Sequence, residues 1–136
     1  MGQITLRWVE GHLMVAGDTN GHSIVIGRSP EGYHPWVGVK PSDLLLMAVA
    51  ACCTWDVVEI LAKQRQSLES LKVTCSGEQR PDPPSMFTRI HVHFEVRGAV
   101  SPEKLKKAIA LSEERYCSVI STLRPGVPIT CDSVIL

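Results

Sequence analysis

The chain has 136 residues, which predicts one domain spanning residues 1–136. Of these residues 44% are hydrophobic and 21% are charged, and 14 basic residues balance 14 acidic ones. Nucleic acid and anionic membrane surfaces bind proteins that carry a net positive charge. Because this chain has no such excess, neither is expected as a partner. The composition is that of an ordinary globular protein, whose small core would gain from dimerisation.

The amino terminus lacks the basic segment and apolar segment of a secretory signal. The most apolar stretch, residues 44–53, is about half as long as a membrane span. These features predict a cytoplasmic protein without a membrane segment. The five cysteines are then expected to be free thiols, because structural disulfides are rare in a reducing compartment.

Short strands joined by tight turns are predicted for the first part of the chain. Residues 4–9, 12–16 and 23–26 are rich in apolar and β-branched side chains, and turns containing glycine separate them. Residues 28–40 are rich in proline and glycine, which predicts a loop.

A long helix is predicted from Pro41 to about Arg65. Proline and an acid in its first turn are typical of a helix start, because the free N–H groups there favour negative charge. Its first half is apolar nearly all round, which predicts that other elements enclose it.

Two strands are predicted next, within residues 71–76 and 86–97, because apolar and polar side chains alternate there. Prolines at 81–84 predict a loop between them. The apolar face of the second strand consists of Met86, Thr88, Ile90, Val92, Phe94 and Val96.

The remaining residues predict a second helix and a last strand. Ser101, followed by proline and an acid, is typical of a helix N-cap, and apolar residues recur at helical spacing towards Cys117. Residues 124–126 end the helical region, and residues 127–136 are predicted to be a strand. The order β-β-β-α-β-β-α-β predicts an α+β fold, with an antiparallel sheet packed on two main helices.

The candidates for chemistry are Cys52, in the middle of the first predicted helix, and Cys117, where the second predicted helix ends. A thiolate that attacks a peroxide becomes a sulfenic acid, which a second thiol converts to a disulfide. The two side chains could meet if the helices pack together. Burial as small hydrophobes is the alternative, because free cysteine is among the most buried residue types. Packing is the preferred interpretation for Cys53, Cys75 and Cys131.

Other chemistries have weaker signals in the sequence. His91 and His93 share a strand face and could form a two-ligand metal fragment. Their neighbours Arg89, Glu95 and Arg97 instead favour a solvated polar face, and the sequence lacks the ligand spacing of structural zinc sites. No metal or other cofactor is therefore expected. A serine hydrolase is unsupported, because the chain has no Gly-x-Ser-x-Gly element.

Three blocks of sequence carry a family resemblance. They are PSDLLLMA at 41–48, continued by AC at 51–52 and DVVEIL at 56–61; FTRIHVHF at 87–94 with VRG at 96–98; and AIALSEERYCSV at 108–119 with TL at 122–123. With these blocks the sequence resembles the osmotically inducible protein C and organic hydroperoxide resistance superfamily (OsmC/Ohr), over essentially the whole chain. Within it the chain most resembles the branch of small OsmC-like proteins typified by YhfA.

The resemblance implies an OsmC-like fold in which two chains interlock as a homodimer, with active sites between subunits. It also implies that Cys52 is the peroxide-attacking thiolate and Cys117 the resolving thiol. The implied activity is thiol-dependent reduction of organic hydroperoxides or hydrogen peroxide in oxidative-stress defence, with a dithiol as reductant.

The chain departs from the family pattern after the proline of the first block. The hydroperoxide-resistance enzymes carry a glutamate there, which orients an arginine beside the reactive cysteine, whereas this chain has Ser42. Arg80, Arg115 and Arg124 are the candidates to supply a guanidinium instead. The departure supports a second hypothesis, a redox-sensing protein or a protein that binds a small apolar ligand, with little or no peroxidase turnover.

Overall fold

The computed structural model describes residues 2–28 and 36–136. The chain consists of two compact units, one ending at Leu45 and the other beginning at Leu46. Each unit contains one three-stranded sheet. The single domain that the length predicts stays a prediction.

The first unit is built on an antiparallel sheet in the order β1-β2-β3. Its strands are β1 (Ile4–Glu10), β2 (His12–Asp18) and β3 (Ser23–Arg28). The predicted tight turns are confirmed. At the first of them Gly11 has φ 52°, a left-handed conformation that glycine adopts without steric strain.

The predicted loop at 28–40 falls partly outside the described residues, which omit 29–35. Beyond that gap the chain returns to the sheet, where Val39 forms a parallel bridge with Ile26. The connection then leads into the first helix, α1 (Pro41–Lys63), which begins at the predicted residue and ends close to the predicted one.

Only one stripe of α1 is buried. Its members recur once per turn, because residues four apart lie on the same side of a helix. They are Val49, Cys53, Val57 and Leu61. The prediction that other elements enclose the first half of α1 is wrong for this chain, since Met47 is 50% exposed. A helix that packs through one stripe leaves its remaining apolar side chains uncovered.

By length and composition alone, α1 is the one helix in the described part of the chain that could cross a membrane. The sequence-based estimate of its apolar length was too short, because Trp55, Val57 and Ile60 continue the apolar composition around Asp56 and Glu59. Core helices of soluble proteins meet the same two criteria.

The second unit contains a sheet in the order β4-β5-β6. Its strands are β4 (Ser67–Gln79), β5 (Phe87–Ala99) and β6 (Ile129–Ile135). β4 and β5 are antiparallel, but β5 and β6 are parallel, so the predicted strand direction is wrong for that pair. The physical reason is the helical crossover between them, which returns the chain to the end of the sheet where β5 began.

The predicted apolar face of β5 supplies the centre of the core. Four of its six residues are fully buried, namely Ile90, Val92, Phe94 and Val96. They pack in one cluster with the buried stripe of α1 and with apolar residues of the crossover. Burying each such side chain contributes about 1.5–3 kcal/mol, so this contact is what fixes α1 on the sheet.

The crossover consists of α2 (Pro102–Leu111), a π turn (Ser112–Tyr116) and α3 (Ser118–Leu123). Ser101 caps α2 as predicted, and its Oγ accepts a hydrogen bond from the backbone N–H of Lys104 at 3.5 Å. The second helix ends at Cys117 as predicted, but its last turn is a π turn, and α3 follows as a separate short helix. Single π turns inside helices occur frequently at functional sites, which makes this turn notable.

Candidate active site

Cys52 lies midway along α1, one turn after Ala48 and one turn before Asp56. The three side chains therefore share one side of the helix. Cys52 is half-buried, whereas the adjacent Cys53 belongs to the buried stripe. Of the two neighbouring thiols, only Cys52 thus combines contact with the core and access to solvent.

Cys117 lies between the π turn and α3, with an extended backbone of φ −73° and ψ 103°. Its N–H donates to the carbonyl of Ser112 at 2.9 Å. Its Sγ accepts a hydrogen bond from the N–H of Ile120 at 3.4 Å and so caps α3. The side chain is fully buried, and backbone contacts on both sides fix its position.

The structure brings the two predicted site residues together. The Sγ atoms of Cys52 and Cys117 and a carboxylate oxygen of Asp56 all lie within 4.8 Å of one another. The Oγ of Ser118 lies 3.9 Å from the Sγ of Cys52. All five cysteines are free thiols. The packing that would let Cys52 and Cys117 meet is confirmed, while their roles in a reaction stay predictions.

The surroundings of Cys52 favour its thiolate. Burial is the largest single influence and raises the pKa, but hydrogen bonds from the backbone of Val119 and from the side chains of Cys117 and Ser118 outweigh it. The negative charge of Asp56 opposes them, and the net result is a pKa below the ordinary 9.0 of a cysteine thiol. Hydrogen bonds to a charged form lower its pKa in this way.

Cys117 titrates in the opposite direction. Burial, together with the hydrogen bond to Cys52, raises the pKa of Cys117 to about 11. At neutral pH Cys117 is therefore a neutral thiol that lies beside the Cys52 sulfur. The two groups titrate as a pair, and the first negative charge resides on Cys52.

Asp56 is tied to the crossover by a buried hydroxyl. The Oγ of Ser112 donates to Asp56 Oδ2 at 2.8 Å, and Ser112 is fully buried. Ser112 is not among the site residues predicted from the sequence. The sequence does contain an indication of its role, because Ser112 is a hydroxyl residue within an apolar repeat at helical spacing. Such a position predicts a buried hydroxyl, and a buried polar group requires a hydrogen-bond partner.

The other cysteines serve the core. Cys53 is buried, and Cys75 and Cys131 pack against the same cluster. Burial raises the pKa of Cys53 to about 12 and also raises the pKa of Cys75 and of Cys131. These thiols stay protonated at neutral pH, and the prediction that they are packing residues is confirmed.

Arg124 does not act as the missing guanidinium in this structure. Its Nη1 donates to the backbone carbonyl of Glu113 at 3.1 Å, and its Nη2 lies 3.8 Å from the Glu113 carboxylate. Among the described residues, the strongest influences on the pKa of Cys52 are burial, hydrogen bonds and the charge of Asp56. The thiolate is thus stabilised mainly by neutral donors.

A cavity of about 350 Å³ opens beside the Cys52 thiol. Its lining consists of Ala48, Ala51, Cys52, Trp55 and Asp56. Since a water molecule occupies about 30 Å³ in the liquid, the cavity has room for a small organic molecule. The wall is mostly apolar, with Asp56 as its charged group.

A larger apolar depression, the α1–β4 groove, has a volume of about 850 Å³. Its walls include Met47, Trp55 and Val58 of α1 and Leu71 and Val73 of β4. Trp55 is 75% exposed and also lines the cavity beside Cys52, so the two depressions share a wall.

Cys52, Cys117 and Asp56 could also serve as ligands of a thiophilic metal ion, because thiolates and a carboxylate suit zinc. An ion bound there would need a water molecule or a substrate as its fourth ligand. The donors also satisfy one another by hydrogen bonds, as the pKa shifts of both cysteines reflect. The arrangement suits thiol chemistry without requiring a metal.

Comparison with known proteins identifies the family. A family model described as OsmC-like protein matches residues 32–132. The chain belongs to the OsmC-like family. It is also 35% identical over 129 residues to Protein YhfA of Escherichia coli K12, covering 94% of this chain and 93% of YhfA.

Solved structures share the fold of this OsmC-like protein. A hypothetical protein from Aquifex aeolicus VF5 is 25% identical and matches with a TM-score of 0.85, covering 100% of this chain and 98% of that one. The organic hydroperoxide resistance protein OhrB of Bacillus subtilis is 17% identical and matches with a TM-score of 0.66, covering 98% of each chain. The α+β OsmC-like fold predicted from the sequence is thereby confirmed.

Proposed function

We propose that this OsmC-like protein reduces organic hydroperoxides or hydrogen peroxide, with Cys52 as the attacking thiolate and Cys117 as the resolving thiol. The proximity of the two cysteines carries the proposal, since their Sγ atoms lie within 4.8 Å of each other. The opposite pKa shifts of the two cysteines support the assignment of roles, because the attacking group must be the thiolate.

In the first step the Cys52 thiolate attacks the terminal oxygen of the peroxide. The O–O bond breaks, an S–O bond forms, and the alcohol or water leaves with a proton from solvent. Cys52 becomes a sulfenic acid, so sulfur is oxidised and the peroxide is reduced. The apolar cavity beside Cys52 supports an organic hydroperoxide as substrate, because Ala48, Ala51 and Trp55 offer contacts to a hydrocarbon chain.

In the second step the thiol of Cys117 attacks the sulfenic sulfur of Cys52. A disulfide forms and the hydroxyl group leaves as water with the Cys117 proton. The elevated pKa of Cys117 suits this order of events, because a protonated Cys117 stabilises the Cys52 thiolate before the peroxide arrives. The reaction uses no cofactor.

A dithiol reductant then restores both thiols by thiol–disulfide exchange. The cycle fits a cytoplasmic location, where disulfides are kept reduced, and the five free thiols are compatible with it. Oxidative-stress defence is the physiological role that we infer. The description of OhrB of Bacillus subtilis as an organic hydroperoxide resistance protein supports this role by analogy of fold alone.

The assembly that we propose is a homodimer whose subunits meet over the α1–β4 groove. Met47, Trp55 and Val58 form an apolar surface there, with exposed fractions of 50%, 75% and 42%. Monomers rarely leave a contiguous apolar surface of this kind uncovered. Because Trp55 also lines the cavity beside Cys52, the second subunit would complete the wall of the active site.

A second candidate function is redox sensing or binding of a small apolar ligand with little peroxide turnover. The contacts of Arg124 favour it, because that guanidinium is bound to Glu113 rather than to the thiolate. The apolar cavity beside Cys52 would then hold the ligand. Native mass spectrometry that finds a bound apolar molecule, together with absence of turnover, would decide for this function.

A turnover assay tests the primary proposal. The protein is supplied with an excess of dithiothreitol, and consumption of cumene hydroperoxide and of hydrogen peroxide is followed. Wild type and the control Cys75→Ser should turn over. Cys52→Ser should be inactive, and Cys117→Ser, assayed without reductant, should consume one equivalent. Failure of the wild type to reduce either peroxide would reject the proposal.

A further inference from the structure

A second cluster of reactive side chains lies on the face of the β4-β5-β6 sheet that is turned away from the core. His91 and His93 stand two residues apart on β5 and point to that face, since the residues between and beside them are buried. The parallel register places His93 opposite Asp132 of β6 and His91 opposite Thr130. Four polar side chains from two strands therefore meet.

The two imidazoles converge on one carboxylate oxygen. Nε2 of His91 lies 2.8 Å and Nδ1 of His93 lies 2.7 Å from Oδ1 of Asp132. The three potential ligand atoms are all within 4.8 Å of one another. Both rings are thus within hydrogen-bond distance of the same carboxylate oxygen.

We propose that His91, His93 and Asp132 form a binding site for a divalent transition-metal ion, with zinc as the representative ion. Two imidazole nitrogens and a carboxylate oxygen are a donor set that zinc accepts, at metal–ligand distances of about 2.0–2.2 Å. In a tetrahedral site with such bonds the ligand atoms lie about 3.3–3.6 Å apart. The present contacts to Asp132 are 2.8 and 2.7 Å, so a small movement of the side chains would admit the ion.

Contacts around the cluster hold the ligands in place. Nδ1 of His91 lies 2.6 Å from Oγ1 of Thr130, which fixes the orientation of the ring and leaves Nε2 for the ion. Hydrogen bonds of this kind to the second ring nitrogen are typical of metal-binding histidines.

The charges that flank the cluster are neutralised by partners of their own. Arg89 pairs with Glu78 at one end of the face. Glu95 pairs with Lys72 at the other end, where the nitrogen–oxygen distance is 3.6 Å. Asp132 supplies the negative charge of the proposed site. It is 58% exposed, which allows the ion to enter and water to fill the remaining coordination positions.

The proposed site is separate from the thiol chemistry, because its side chains lie on the solvent face of the sheet and Val92, between the two histidines, is buried in the core. An ion held there would link β5 to β6. The ion would thereby stabilise the pairing of β6 with β5, and its binding should raise the melting temperature of the protein.

Calorimetric titration with zinc chloride tests the site. The experiment uses Cys52→Ser as background, since this substitution removes one ligand from the alternative cluster of Cys52, Asp56 and Cys117. One ion should bind per chain. His93→Gln and Asp132→Asn, made in that background, should each weaken binding by at least about tenfold, the range seen even for outer-shell partners.

His22→Gln is the matched control, because His22 pairs with Asp18 at 2.9 Å but has no second histidine in that pair. It should bind zinc as the background protein does. Melting curves without zinc verify that each variant is folded, and cobalt titration provides a second readout, with a visible spectrum that changes on replacing His93. Absence of binding, or equal affinity in His93→Gln and His22→Gln, overturns the proposal.

Discussion

The buried hydroxyl of Ser112 donates a hydrogen bond to Asp56 at 2.8 Å and thereby joins the two segments that carry the candidate cysteines. Asp56 lies one turn after Cys52 on α1. Ser112 begins the π turn, and its carbonyl accepts the N–H of Cys117. The same serine thus contacts the α1 side of the site with its side chain and the Cys117 side with its backbone.

Replacing Ser112 with alanine should destabilise the protein. Asp56 would lose its buried partner, and leaving a partly buried acceptor without its donor costs about 1–3 kcal/mol. Urea denaturation followed by fluorescence measures the change. Ser121→Ala, at an exposed position in α3, should stay within about 0.5 kcal/mol of wild type. Equal stability of the two variants would show that the Ser112 bond is unimportant.

Two substitutions of Cys117 should show how far its hydrogen bond to Cys52 lowers the pKa of Cys52. Cys117→Ala removes the donor to Cys52 and should raise the pKa of Cys52, because the thiolate loses a stabilising contact. Cys117→Ser retains a hydroxyl donor and should raise it less. The pH dependence of alkylation at Cys52, quantified by peptide mass spectrometry, reports that pKa. A lower pKa in Cys117→Ala than in wild type contradicts the assignment.

Asp56→Asn should shift the pKa of Cys52 in the opposite direction. The charge of Asp56 raises that pKa, so its removal should lower it, while the amide oxygen can still accept from Ser112. The alkylation rate of Cys52 should therefore reach its plateau at a lower pH than in wild type. Glu59→Gln is the control, because Glu59 is paired with Lys63 at 3.0 Å. An unchanged profile for Asp56→Asn would exclude a direct effect of Asp56.

Val58→Glu should convert the proposed homodimer into monomers. Val58 lies on the apolar surface of the α1–β4 groove, where a buried carboxylate without a partner would be strongly unfavourable. Sedimentation analysis over a range of concentrations measures the change. Lys106→Glu on the exposed side of α2 should leave the dimer intact. A wild type that sediments as a monomer would reject the proposed assembly.

Local patterns were sufficient to predict the elements. The alternation along β5 identified Ile90, Val92, Phe94 and Val96 as its buried face, and Ser101 identified the start of α2. These features depend on side chains that are close together in the sequence, so they can be predicted from one sequence.

Long-range features could not be predicted in the same way. The parallel pairing of β5 with β6 depends on the path of the crossover, and only that pairing places Asp132 beside His91 and His93. The π turn that precedes Cys117 likewise has no proline or glycine signal in the sequence. The family resemblance selects the cysteine pair, because for the residues alone core packing is the better default for a free cysteine.

Peptide mass spectrometry of the reduced protein after one equivalent of cumene hydroperoxide tests the central proposal most directly. The proposed chemistry predicts a disulfide between Cys52 and Cys117, with Cys53, Cys75 and Cys131 still reduced. In Cys117→Ser the same treatment should leave a sulfenic acid on Cys52, which a sulfenic-acid-specific reagent can trap. Two results would contradict the account. In one, Cys52 and Cys117 stay reduced and the peroxide is not consumed. In the other, the disulfide involves other cysteines.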